Sequence, residues 1–317
     1  MTDEPVENDS QRRAGGWIPG APGVPAFTLH GREPSPIPIL IAAPHAGRAY
    51  PRALLQDMRQ PEAVVLRLED RYVDRLALAV SRETGAPAVI ANAPRAMVDL
   101  NRAPEDFDWD MFAKEARPAG GQASATRRAR SGLGLIPRRL PGTGELWRRR
   151  FGRSDLDGRL EGVHEPYHRA IASALQDLRA RWGAALLIDL HSMPPLPGRP
   201  GSEAPQIVVG DRFGSSCHGA LVASVFTHLA ARGRAVAHNR PYAGGYVLDR
   251  HGDPRAMHHA LQLEIDRSAY LDSALAEPGP GMAAMIEDLA GLVRALAAEV
   301  CELGRERGGS GWPQAAE

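Results

Sequence analysis

Cysteine is nearly missing from this sequence. Its 317 residues hold two, Cys217 and Cys301, too few for a disulfide framework or a cysteine-rich zinc module, so a reducing, cytoplasmic setting is expected. Lysine is scarcer still: Lys114 is the only one, in an irregular segment, which argues against Schiff-base chemistry and a P-loop phosphate grip. Arginine must therefore supply any cationic recognition. No apolar run approaches the ~20 residues that cross a bilayer, and the opening MTDEPVENDSQRRAGG lacks the hydrophobic core of a signal peptide. An excess of charge of one sign is also absent. The 38 basic side chains balance 38 acidic ones, so there is no footprint of nucleic-acid or membrane-surface binding, and a small-molecule or peptide partner is expected. Ser215, Ser216 and Cys217 lack a G-x-S-x-G elbow, which weighs against a serine or cysteine hydrolase.

What is present is alternation. Apolar runs at 37–43, 86–92, 96–100, 184–190, 206–210, 235–238 and 260–265 read as strands, and helical periodicity falls at 66–83, 156–182, 216–232 and 282–304. This order predicts an α/β fold with a mixed, mostly parallel central sheet and helices on both faces. Pro166 should start or kink the second helix. Residues 1–34 and 306–317 read as flexible ends around one domain at 35–305, with 103–141 as a long loop or insertion.

Ligands of open α/β sheets bind at the carboxyl ends of strands, so polar residues just after apolar runs carry most interest. Two runs end in histidine: Pro44-His45-Ala46-Gly47 and Asp189-Leu190-His191-Ser192. A lone histidine is ordinarily a cap or a satisfied core residue, but two at strand tips suggest a metal. Asp189 points the same way as His191 along a strand and can orient its imidazole. A catalytic zinc would need a third ligand. Glu69-Asp70 is the nearest carboxylate pair, and the alternative there is a plain acidic helix turn. Glu264 lies on the polar side of the alternating run 260–265, as a general base or as the wet face of an edge strand.

Asn101-Arg102 after the 96–100 run could clamp a substrate carboxylate, and Asn239-Arg240 with Gly244-Gly245 could let backbone amides approach a ligand. Arginines are too abundant here for the residue type alone to decide the first segment, and the second could be an ordinary turn. His164 and His168 are four apart on a helix, but Pro166 intervenes, and they read as helix-surface or pocket-wall residues; His258 and His259 read as loop or pocket residues.

Taken in order, Pro44-His45-Ala46-Gly47, Asp70 with Val73-Asp74-Arg75-Leu76, Asp99-Leu100-Asn101-Arg102, Pro166-Tyr167-His168, Asp189-Leu190-His191-Ser192, Asn239 with Gly244-Gly245-Tyr246, and Leu261-Gln262-Leu263-Glu264-Ile265 resemble the N-formylglutamate amidohydrolase family over about residues 36–272. That family is in turn similar to the zinc carboxypeptidases in fold. The resemblance implies one zinc ion, or another divalent metal, on His45, Asp70 and His191. It also implies Glu264 as the catalytic carboxylate, with Asn101, Arg102, Asn239, Arg240, Gly244 and Gly245 around the substrate. Arg240-Pro241-Tyr242 departs from the family's usual Gly-Arg-aromatic order by one position. The implied reaction is hydrolysis of N-formyl-L-glutamate to L-glutamate and formate, a step of histidine degradation. The alternatives are a zinc deacylase for another N-acyl amino acid or peptide, and an inactive binding protein for acidic amino-acid derivatives.

Overall fold

The computed structural model describes residues 11–116, 126–198 and 203–309. The chain runs through β1 (Gln11–Gly15), β2 (Phe27–Gly31), β3 (Ile39–Ala43), α1 (Arg52–Asp57), α2 (Pro61–Leu68), α3 (Val73–Thr84) and β4 (Ala88–Ala91). After α4 (Arg127–Arg130) and the ribbon β5 (Arg139–Leu140) and β6 (Gly144–Glu145) come α5 (Arg153–Arg159), α6 (Glu165–Trp182) and β7 (Ala185–Met193). Next follow β8 (Ile207–Gly210), α7 (Gly219–Ala231), β9 (Val236–His238), α8 (Tyr246–His251), β10 (His258–Asp266) and α9 (Met282–Gly309).

Eight strands form one sheet in the order β1-β2-β4-β3-β7-β10-β8-β9. The four central strands β4, β3, β7 and β10 are mutually parallel, and β2 and β8 join them antiparallel. Helices cover both faces, which is why the central strands read as nearly continuous apolar runs. In β3 all five residues are buried, with Leu40 and Ala42 in one core and Ile39, Ile41 and Ala43 in the other. The first core is closed by α6 and the irregular stretch before it, the second by α3, α7 and α9.

Three expectations change. Residues 11–34 are not a flexible end: β1 and β2 extend the sheet, with Ile18, Ala26 and Phe27 buried. Residues 1–10 and 310–317 lie outside the described residues. The 96–100 run forms turns rather than a strand, with the Met97 N–H donating to the Pro94 carbonyl and that of Arg102 to Asp99. The 66–83 pattern is two helices, since α2 ends at Leu68 and Tyr72 takes a left-handed φ of 57° before α3. The described part of 103–141 packs inward through Phe107, Phe112, Leu135 and Ile136.

The helical stretch 153–182 is unbroken but widens into a π-helical turn at Leu160–His164. Pro166 has no N–H to donate four residues back. The Gly162 carbonyl it would have satisfied accepts instead from the Trp17 N–H at 2.8 Å. A side chain at Gly162 would collide there, because an added Cβ would lie 2.7 Å from the Trp17 carbonyl oxygen.

Candidate metal centre

The carboxyl ends of β3, β7 and β10 meet the turn between α2 and α3. His45 follows β3 directly, and its carbonyl accepts from the Asp70 N–H at 3.0 Å, which fixes that turn against the strand tip. His191 lies in the last third of β7, and Glu264 stands opposite it in the parallel register of β10. Asp70 Oδ2 lies 2.9 Å from His191 Nδ1 and 3.5 Å from His45 Nδ1. Among the described residues, His45, Asp70 and His191 are the one group of three or more His, Cys, Asp or Glu able to hold a metal ion, with ligand atoms within 4.8 Å of one another.

The nitrogens facing away from this centre are already occupied. His45 Nε2 donates to Asp99 Oδ1 at 2.7 Å, and His191 Nε2 donates to Asp189 Oδ2 at 2.9 Å. Each ring is thereby held with Nδ1 toward Asp70, the arrangement by which outer carboxylates orient metal-binding imidazoles. Glu69 does not join them; its carboxylate is 3.3 Å from Arg71 Nη1.

Burial opposes the ionisation of Asp70, yet hydrogen bonds from His191 and His45 outweigh it and hold the carboxyl well below the usual range. Burial likewise disfavours the His191 imidazolium, but Asp189 and Asp70 raise its pKa well above the ordinary value. Glu264 is pushed up to about 7 by burial, with His191 opposing and Asp70 adding to the rise. Four carboxylates thus converge on two imidazoles in a desolvated space, a donor set that suits a divalent cation.

The family model for N-formylglutamate amidohydrolase matches residues 37–271. The chain belongs to that family. It is 30% identical over 275 residues to the N-formylglutamate deformylase of Pseudomonas aeruginosa, covering 86% of this chain and 95% of that protein. With the N-formylglutamate deformylase of Pseudomonas putida it shares 32% over 239 residues, or 74% of this chain and 82% of that one. The crystal structure of N-formylglutamate amidohydrolase from Ralstonia eutropha superposes with a TM-score of 0.77 at 28% identity, covering 89% of this chain and 99% of that one.

Within this family member the expected substrate residues separate. Asn101 is spent on structure: its Nδ2 donates to Gln262 Oε1 at 3.2 Å and lies 3.4 Å from His191 Nε2, while its Oδ1 accepts from the Val247 N–H at 3.0 Å. Arg102 donates through Nε to the Leu133 carbonyl and through Nη1 to that of Asn101, and it lines a cavity of about 400 Å³ with Gly244, Gly245 and Tyr246. Asn239 is buried away from this cavity, its Nδ2 donating to Asp211 Oδ1 at 2.7 Å and its Oδ1 accepting from the Asp211 N–H at 3.1 Å. Arg240 is exposed. Neither Asn239 nor Arg240 lines the cavity beside Arg102.

Three residues there escaped the sequence reading. Arg95, its side chain 20% exposed, donates to Asp99 Oδ2 at 2.9 Å and acts electrostatically on both Asp70 and Glu264. Arg267, just beyond β10, donates to the Glu69 carbonyl at 2.5 Å and to Ser192 Oγ at 3.1 Å, with Nη2 3.4 Å from Asp70 Oδ1. Tyr242 is half-buried, and burial together with Glu264 and Asp70 raises its pKa. Arg95 and Arg267 each follow a strand tip, the same signal that exposed the histidines; the supposed strand at 96–100 concealed the first.

Proposed function

We propose that the protein is a metal-dependent hydrolase of N-formyl-L-glutamate, with zinc on His45, Asp70 and His191. The observation that carries this reading is the buried trio with both outer imidazole nitrogens held by carboxylates and Glu264 one strand away. The names of the Pseudomonas and Ralstonia relatives support the substrate. A zinc ion held there would supply a Lewis acid for the acyl oxygen and ease ionisation of a water molecule.

The chain's own groups do the rest. Glu264, poised near neutrality, accepts the proton of the attacking water as the new C–O bond forms at the formyl carbon. It then returns that proton to the amide nitrogen as the C–N bond breaks, so water and substrate leave as formate and L-glutamate. Arg95, which acts electrostatically on both Asp70 and Glu264, supplies positive charge beside the negative oxygen that develops in between. Arg102, in the cavity it lines with Gly244 and Gly245, offers the cation for a carboxylate of the amino acid.

The test is formate release from N-formyl-L-glutamate by chelator-treated protein, before and after zinc is added back, beside N-formylaspartate, N-acetylglutamate and N-formylmethionine. Release restored by zinc is expected for the glutamate derivative, together with a Glu264→Gln variant that keeps its metal and loses turnover by about 10²–10⁴-fold. Formate release that survives complete metal removal would overturn the reading.

A further inference from the structure

Three buried imidazoles brace the loop that carries Asn101 and Arg102. His164 ends the π-helical turn, and His168 lies four residues on in α6. His164 Nε2 is 2.9 Å from the Arg102 carbonyl, and His168 Nε2 is 3.0 Å from that of Leu100. Carbonyls only accept, so both nitrogens carry hydrogen and both rings are neutral Nε2–H tautomers, as burial at 1% and 0% exposure favours. His168 Nδ1 is then bare. It accepts the Nε2–H of His251 from α8 at 3.0 Å, with the two ring planes only 23° apart and their centroids separated by 5.3 Å.

The bonds bracket Asn101 on both sides. From the front, Asn101 Oδ1 accepts the Val247 N–H of α8, four residues before His251 in that same helix. The ring of Tyr246 closes the gap, 5.6 Å from His164 and 5.1 Å from His168, and it lines the cavity beside Arg102, Gly244 and Gly245. One continuous set of directed contacts thus ties α6, the Asp99–Arg102 loop and the start of α8, which are the walls of the proposed carboxylate cavity.

We infer that His164, His168 and His251 are positioning residues that set the distance between Arg102 and the Gly244–Gly245 backbone, and so set substrate affinity without touching substrate. This rests on the reading of Arg102 as the carboxylate-binding cation. Each ring has one correct tautomer: the Leu100 carbonyl sets the direction of both bonds of His168, and the Arg102 carbonyl sets that of His164.

The experiment compares the zinc-loaded wild-type protein with His168→Leu, His168→Gln and His164→Leu. Glutamine retains a donor for the Leu100 carbonyl and an acceptor for His251, whereas leucine retains neither. For both leucine variants KM for N-formyl-L-glutamate should rise about tenfold, the scale of one lost buried hydrogen bond, while kcat and zinc content change far less; glutamine should recover most of the loss. An unchanged KM, or a fall in kcat that merely follows the folded fraction, overturns the inference.

Nitrogen-15 spectra of the ring nitrogens give a second readout that needs no activity. His164 and His168 should be neutral Nε2–H rings, and His251→Phe should abolish the hydrogen-bonded character of His168 Nδ1. An Nδ1–H tautomer at His168 in an active enzyme refutes the positioning chain alone. Correct tautomers in a wild-type protein that releases no formate refute the functional reading instead.

Discussion

Replacing Asp99 by asparagine changes one atom at the point where three functions converge. Its Oδ1 accepts from His45 Nε2 at 2.7 Å and from the Asn101 N–H at 2.9 Å, and its Oδ2 accepts from Arg95 Nε at 2.9 Å. Burial opposes the charge on Asp99, but Arg95 and His45 hold its carboxyl well below the usual range, so a full negative charge is being removed. The amide retains one acceptor oxygen, and whichever way it turns, its NH₂ meets a donor: Arg95 Nε on one side, His45 Nε2 on the other. Loss of a carboxylate that orients a metal-binding histidine costs about 10–100-fold in metal affinity, or about 1.4–2.7 kcal/mol. Arg95 also loses its counter-ion, which adds destabilisation of about 1–2 kcal/mol after allowance for its partial exposure. The assay is competition for zinc between each protein and a chromophoric chelator, beside thermal unfolding. Zinc affinity within twofold of wild type in the folded variant would refute the argument, because it would make Asp99 a packing partner only. Asp157→Asn, at an exposed pair with Arg153, should leave zinc affinity unchanged and stability within about 1 kcal/mol.

Three further outcomes follow from packing and charge. Burial, then Arg250 and His258, push the His251 pKa down to about 3; a histidine depressed in the folded state contributes stability that is full above the unfolded value near 6.5 and lost as pH falls toward 3. Unfolding by urea should therefore show a loss on the order of 2 kcal/mol between pH 7 and pH 5 from this group, and a folded His251→Phe protein whose pH slope is unchanged would contradict it. In Gly245→Ala the new methyl would sit 2.5 Å from Asn101 Oδ1, so the loop must shift. KM should then rise with little change in zinc content, as steady-state kinetics and metal analysis would report. Gly162→Ala drives a methyl against Trp17 and its carbonyl and should lower stability by about 1–3 kcal/mol; a calorimetric midpoint equal to wild type would show that the Trp17 segment does not depend on that contact.

The central sheet was legible because β3, β4, β7 and β10 are buried on both faces and carry apolar runs, interrupted in β7 and β10 by the polar residues near their carboxyl ends. The two histidines of the candidate trio were visible for a related reason, since His45 and His191 each stand near the end of such a run, whereas Asp70 was singled out from Glu69 only by the family resemblance. The edge of the sheet was hidden, since β1 and β2 lie among glycines and prolines and β1 is held by pairing with β2 alone. Pro94 and Asp99 turn the 96–100 segment even though its side chains are buried like a strand's, and that misreading hid Arg95. The roles of Asn101 and Asn239 were hidden more deeply. Both side chains look like ligands for a substrate in one dimension, and both are consumed in three by backbone N–H groups and side chains from distant elements. The residue type gave the bonding capacity, but only the fold decides who takes it. The same logic, run the other way, explains His164 and His168: with Pro166 between them they made a poor metal pair, and the widened turn that proline imposes is what presents both rings to the carbonyls on either side of Asn101.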